Sequence, residues 1–209
     1  MFAETLAPQT QQTLEVLKTA APVKNFYLAG GTALALQLGH RVSEDLDFFS
    51  PGEFQPLQLL SRIKKDLPDF ETQNVNQSWG TLKFFNNRTM VSFFTYDYPL
   101  LENFTDFEGT KIASIKDIGS MKITAIADRS VKKDFIDLYF ICQSISFEDL
   151  LENFKLKYKN INFELYHYLK SLAYFEEAED TPMPYMLKPA EWEKVKEFLR
   201  GEIKKYEII

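Results

Sequence analysis

The stretch Phe26–Phe49, FYLAGGTALALQLGHRVSEDLDFF, constrains this chain more than any other. An apolar run ends in Gly30-Gly31-Thr32, a short helical pattern follows, and a second apolar run carries Asp45 and Asp47. Side chains on a strand alternate between faces, so the two carboxylates point the same way and Leu46 between them points to the core. Like charges side by side repel, and a divalent cation offsets the repulsion; Mg²⁺ is typically held by one or two carboxylates plus substrate phosphates. The glycine pair supplies the complementary half, a strand-to-helix turn whose backbone N–H groups can approach an anion at the positive end of a helix dipole. This unit predicts a nucleotide site with Mg²⁺ or Mn²⁺ on Asp45 and Asp47. Gly30, Gly31 and Thr32 form its phosphate cradle, with Gly31 needed for positive φ or for close approach. Thr32 also reads as a helix cap, a role that coincides with the cradle. Arg41 and Ser43 lie just ahead of the carboxylates. Arg41 suits phosphate, which a guanidinium matches bidentately, or a surface pair with Glu44.

The rest of the chain fits a fold large enough to hold such a site. Its 209 residues suffice for one large domain or for a catalytic lobe with a helical lobe, and 45% hydrophobic content supplies a core. The net charge of −6 argues against non-specific coating of nucleic acid. A local basic patch is still possible at Lys64-Lys65, Lys111/Lys116/Lys122, Arg129/Lys132/Lys133 or Lys155/Lys157/Lys159, although such runs are mostly solvated faces. The single cysteine, Cys142, rules out an intrachain disulfide and reads as a core residue on a helix. No signal-peptide pattern opens the chain and no apolar run approaches the ~20 residues that span a bilayer, so the expectation is a cytoplasmic protein without membrane contact.

Periodicity and punctuation predict a helix over 8–20, strands at Phe26–Ala29 and Leu46–Phe49, and a helix over Thr32–Leu38 that Gly39 ends in left-handed conformation. A helix over Pro56–Lys65 precedes a meander of Glu71–Val75, Thr81–Phe85 and Met90–Tyr96, with a turn at Asn86-Asn87. A further strand is expected at Gly109–Ala113. Helices then follow at Ile115–Asp128, Lys133–Gln143, Ser146–Lys157 behind a capping box, Asn162–Tyr174, and Ala190–Tyr206 after the acidic, proline-bearing loop Glu176–Pro189. On spacing alone Lys122 is a solvated charge, and Asp134 and Asp137 share a helical face where they can pair with Arg129 or Lys133. His40 and His167 are weak candidates for a general base.

Ala29-Gly30-Gly31-Thr32-Ala33, then Arg41, Ser43 and Asp45-Leu46-Asp47-Phe48-Phe49, resemble the abortive-infection nucleotidyltransferases of AbiEii/AbiGii toxin type, within the polymerase-β-like superfamily. The block Lys122…Arg129…Lys133-Asp134-Phe135-Ile136-Asp137-Leu138 extends the resemblance over roughly residues 20–145. It implies an α+β fold: a nucleotidyltransferase-like lobe with a mixed β-sheet over residues 1–113 and a helical lobe over 114–209, together one compact unit. It also implies transfer of an NMP from an NTP to an acceptor hydroxyl with release of pyrophosphate. Lys122 would then contact the nucleotide, Asp134 would be catalytic and Asp137 supporting. The implied setting is a toxin–antitoxin or phage-defence system with a cognate antitoxin, and an RNA end such as a tRNA 3′ terminus, or a protein hydroxyl, as acceptor. A small-molecule acceptor and a non-catalytic nucleotide-binding module are the alternatives. Many relatives in the superfamily place a third carboxylate on a later strand; here Ser92 occupies that position, with Asp97 further along.

Overall fold

A computed structural model describes residues 1–161 and 164–206. Its backbone divides into two compact units, Met1–Tyr98 with Asn103–Ala113, and Pro99–Glu102 with the chain from Ser114 onward.

The first unit is built on a seven-stranded mixed sheet. Helix α1 (Pro8–Leu17) begins on a proline, whose missing N–H is harmless in a first turn. Strand β1 (Tyr27–Ala29) runs directly into α2 (Gly30–Leu38), which Gly39 closes at φ +63° as its left-handed residue requires. Strand β2 (Leu46–Ser50), helix α3 (Pro56–Asp66) and strands β3 (Gln73–Ser78), β4 (Thr81–Asn86) and β5 (Thr89–Thr95) follow. Strands β6 (Thr105–Phe107) and β7 (Thr110–Ile112) complete the sheet in the order β3-β4-β5-β2-β1-β7-β6. The β2–β5 and β1–β7 pairs are parallel and the others antiparallel.

Alternation sorts the sheet's two faces. Leu28, Leu46, Phe48, Leu82, Phe84, Val91 and Phe93 are buried on the core face. There Phe48 stacks on Phe93 at 5.1 Å, and Phe26 meets Phe93 edge-on at 5.0 Å. Each such ring contributes about 2–3 kcal/mol by leaving water. The opposite face carries Asp47, Phe49, Ser92, Phe94 and Lys83.

Several element bounds differ from expectation. The turn between β4 and β5 sits one residue on, at Asn87-Arg88, because Asn87 takes the left-handed φ of +54° while Asn86 pairs with Thr89. The meander's first strand lies at Gln73–Ser78, joined to β4 by a tight turn at Trp79-Gly80, and its register with β4 shifts between Gln73 and Asn76. Strand β6 was not expected; Glu108-Gly109, both at positive φ, turn it back onto β7.

The second unit holds α4 (Ile115–Arg129), α5 (Lys132–Ile141), α6 (Phe147–Lys157), α7 (Leu165–Leu172), α8 (Glu176–Glu179) and α9 (Trp192–Lys204). Ser114 and Ser146 cap α4 and α6 by accepting the N–H of Asp117 and Asp149 at 3.0 Å each. The predicted helix Asn162–Tyr174 appears as α7, with residues 162 and 163 outside the described ones. The acidic loop is partly helical: α8 forms within it, and Glu179 accepts from Lys196 Nζ at 2.6 Å and Trp192 Nε1 at 2.9 Å. Lys157, read as part of a basic run, is 1% exposed. Its ammonium lies 2.7 Å from Asp117 Oδ1 and donates to the Pro99 carbonyl at 3.0 Å, while Asp117 also accepts the Leu101 N–H at 3.0 Å. That buried pair fastens segment 99–102 to the helices of its unit. Cys142 ends α5, its thiol pushed up to about 12 mainly by burial. Among the described residues no helix is long and apolar enough to cross a membrane.

Candidate active site

The strand-to-helix junction shapes the first cluster. Gly30 turns the chain at φ +67°, a conformation that costs other L-residues roughly 1–2 kcal/mol. Ala29, its neighbour, is paired with Asp47 across β1 and β2. A Cβ on Gly30 would stand 3.0 Å from Asp47 Oδ2 and so crowd that carboxylate against the first turn of α2. The backbone N–H groups there have no partner within the helix and form its positive end.

The positive φ predicted for Gly31 is found one residue earlier, and Gly31 has a different reason to lack a side chain. A Cβ there would collide with Arg41 Nη2 and stand 3.6 Å from Ser43 Oγ. Arg41 is 3% exposed, and its Nη1 donates to the Val42 carbonyl at 3.0 Å. Glu44 is exposed, so the solvated surface pair is not what this guanidinium forms. It lies instead behind the glycine turn.

Thr32 is not the cap, since Ala29 holds that position and the helix starts at Gly30. Its hydroxyl lies 2.7 Å from Ser43 Oγ and donates to the Asp45 carbonyl, which fixes the main chain that presents Asp45. Asp45 and Asp47 are half-buried, while Leu46 and Phe48 are fully buried, the alternation expected of same-face carboxylates.

Sequence reasoning missed the other side of this support. Leu6 bridges Ser43 in parallel, the Ser43 N–H donates to the Thr5 carbonyl at 2.8 Å, and the Ala7 N–H donates to the Ser43 carbonyl at 3.1 Å. The Thr10 hydroxyl donates to the Glu44 carbonyl at 2.7 Å. One signal was available: Thr10 and Thr13 share the helical face of Leu14 and Leu17, and a threonine on a buried face needs a polar partner.

Ser92 lies beside Asp47 in parallel register and is buried, and Lys83 lies beside Ser92 on the next strand. The row across the sheet is therefore carboxylate, hydroxyl, ammonium.

The second cluster belongs to the helical unit. Lys122 is 4% exposed, and its Nζ lies 2.6 Å from Asp134 Oδ1 and 2.5 Å from Asp137 Oδ2. Arg129 Nε donates to Asp134 Oδ2 at 2.8 Å and Nη2 to Oδ1 at 3.1 Å. The reading of Lys122 as a solvated charge is thus excluded. Burial alone would raise the Asp134 carboxyl, but the Lys122 ammonium and the Arg129 guanidinium outweigh it and hold the group below the usual carboxylate range. His40 is buried and His167 exposed.

The donor set at Asp45 and Asp47 consists of oxygens alone, both half-exposed, with Asp47 against a helix start. It fits a hard divalent cation that shares its coordination with phosphate oxygens.

Residues 13–78 match the family described as nucleotidyl transferase AbiEii toxin, Type IV TA system. The chain is 38% identical to the uncharacterized protein aq_aa25 of Aquifex aeolicus (strain VF5), over 96% of this chain and 97% of that protein. The crystal structure of JHP933 from Helicobacter pylori is similar at TM-score 0.51 and 19% identity, covering 97% of this chain and 96% of that one. MenT4, the nucleotidyltransferase toxin Rv2826c from Mycobacterium tuberculosis H37Rv, is similar at TM-score 0.53 and 14% identity, covering 95% and 86%. At these identities the two structures speak for the fold.

Proposed function

We propose that the chain, which matches the AbiEii nucleotidyl transferase toxin family over residues 13–78, is a nucleotidyltransferase that moves an NMP from an NTP to an acceptor hydroxyl and releases pyrophosphate. The observation that carries this reading is Asp47 set against the glycine-opened start of α2, with Asp45 two residues before it on main chain that the Thr32 hydroxyl holds. A divalent cation, Mg²⁺ or Mn²⁺, on Asp45 and Asp47 would supply charge neutralisation for the triphosphate. The N–H groups of Gly30, Gly31 and Thr32 bind phosphate oxygens at the helix's positive end. Arg41 adds a fixed positive charge behind that turn, and Ser43 and Thr32 hold Asp45 in place. This is catalysis by positioning and electrostatics, as phosphoryl chemistry generally requires.

The family resemblance gives Lys122 and Asp134 to the same reaction, Lys122 neutralising developing charge and Asp134 orienting it or activating the acceptor. The second unit supports those roles by holding Lys122 between Asp134 and Asp137, which leaves its ammonium in one place. In the cell the protein acts in the cytoplasm as the toxin of a toxin–antitoxin pair in phage defence, with an RNA end such as a tRNA 3′ terminus, or a protein hydroxyl, as acceptor.

The acidic stretch Glu176–Asp180 does little for a cationic small-molecule acceptor, because Glu179 is engaged by Lys196 and Trp192 and Glu176 accepts from the Tyr174 hydroxyl. Ser92 at the third-carboxylate position favours one other reading, a nucleotide-binding module without turnover. The protein incubated with each labelled NTP, Mg²⁺ and total RNA should place label on RNA and release pyrophosphate, and Asp45→Asn with Asp47→Asn should abolish both. Metal-dependent NTP binding with no pyrophosphate released from the NTP in the presence of any acceptor would overturn transfer in favour of the binding module.

A further inference from the structure

We propose that Lys83 reads the acceptor by binding the phosphate nearest its reacting hydroxyl, an inference that rests on the nucleotidyl-transfer reading above. Asp47, Ser92 and Lys83 are consecutive partners across β2, β5 and β4, so their side chains leave the sheet on one face. With neighbouring strands about 4.8 Å apart, the Cα atoms of Asp47 and Lys83 are roughly 10 Å apart. A ligand on this face of the sheet, spanning the row, therefore has the carboxylate on one side and the ammonium on the other. Lys83 is half-buried, and among the described residues no carboxylate pairs with it. Its Nζ instead lies 5.3 Å from the centre of the Phe94 ring, which itself stacks on Phe49 at 5.1 Å. The rings hold the ammonium over the sheet and shield one side of it from water, which strengthens its attraction for an anion.

Ser92 fits the same purpose. A carboxylate at that position would stand between Lys83 and any anion beside Asp47 and repel it, whereas a hydroxyl does not. The row thus suits an acceptor with a hydroxyl and an anion about one nucleotide unit apart. The terminal nucleotide of a single-stranded RNA has this form, with its sugar hydroxyl and the phosphodiester on its other side. A cationic aminosugar would be repelled by Lys83, and a protein hydroxyl brings no phosphate.

The test measures filter binding of a short single-stranded oligocytidylate with a free 3′ hydroxyl over a range of salt, without NTP, alongside NTP affinity and label transfer. Lys83→Gln should weaken oligonucleotide binding about tenfold at low salt and reduce the salt slope by about 0.7, the value for one phosphate contact on a single strand. Lys83→Arg should restore both, Ser92→Asp should reproduce the loss, and NTP affinity should stay within about twofold in Lys83→Gln. An unchanged slope in Lys83→Gln, or no binding by wild type, would overturn the proposal. So would an equal loss of NTP affinity, which would assign Lys83 to the donor. If wild type binds the oligonucleotide through Lys83 yet transfers no label, the phosphate contact stands and the transfer reading falls. If Lys83→Gln labels RNA as well as wild type does, transfer stands and the role of Lys83 falls.

Discussion

Asp47 presses its carboxylate against Gly30, with Oδ2 3.0 Å from the point where a Cβ on that glycine would stand. Gly30 thus combines a left-handed backbone with a close approach of Asp47. Gly30→Ala should cost about 1–2 kcal/mol through backbone strain and should also push Asp47 aside, lowering metal-dependent NTP affinity at least about tenfold. Gly31→Ala lacks that strain and acts only by displacing Arg41. Calorimetric titration with NTP and Mg²⁺, beside thermal melts, separates the two. Wild-type NTP affinity in Gly30→Ala would show that the Asp47 carboxylate does not serve the nucleotide.

The carboxylate pair makes a second prediction. Asp45→Asn with Asp47→Asn should abolish metal-dependent NTP binding while changing stability by no more than about 1 kcal/mol, since both groups are half-exposed and ion interactions at such positions are weak. Equal calorimetric affinity in wild type and double variant would remove the site from these residues.

How much of this was legible in the sequence depended on how local each signal was. The Gly30-Gly31…Asp45-x-Asp47 unit could be read because a glycine turn and a period-two carboxylate pair are short-range patterns. The capping box at Ser146 and the left-handed stop at Gly39 could be read for the same reason. The exact start of α2 could not, because Gly30 and Gly31 are interchangeable on paper. Only the approach of Asp47 to one and Arg41 to the other tells them apart. Lys83 was invisible because its place beside Ser92 depends on strand register over a separation in sequence that no local pattern encodes. Lys122 and Lys157 looked like solvated charges for a related reason: the carboxylates that accompany them into the interior lie on other helices.

Lys157 illustrates what such a misreading hides. Its ammonium is buried 2.7 Å from Asp117 Oδ1, so Lys157→Met leaves a buried carboxylate without its counter-charge. The expected loss is about 3–5 kcal/mol in denaturant unfolding, far above that of a surface lysine. A change within about 0.5 kcal/mol would mean that the pair is solvated in solution.

Asp134 sets a pH dependence. Its folded-state pKa is lowered, so the stability it contributes is present above its unfolded pKa and is lost as pH falls through the folded value. Wild type should therefore be more stable than Asp134→Asn near neutrality, and the gap should narrow as pH drops below about 4. Urea midpoints for both proteins across that range provide the check. A gap that widens in acid would contradict the sign.

Lys122 tests the catalytic block and the fold together. Removing the ammonium leaves Asp134 with Arg129, a partly exposed partner, and takes from Asp137 the counter-ion 2.5 Å away. Lys122→Ala should thus destabilise by about 3–5 kcal/mol, in contrast to the small effect expected of a lysine on a solvated helix face. Loss of activity in that variant alone would be ambiguous. The informative measurement is label transfer per folded molecule, taken well below the melting temperature and compared with Asp137→Asn, which keeps the lysine and disturbs its cage. If Lys122 stabilises charge on the transferring phosphates, folded Lys122→Ala should be slower by about a hundredfold to a thousandfold, as for loss of one such electrostatic contact. Asp137→Asn should retain much more of the rate. Normal turnover per folded Lys122→Ala would assign the buried cluster to stability alone and leave the chemistry to the Asp45/Asp47 site.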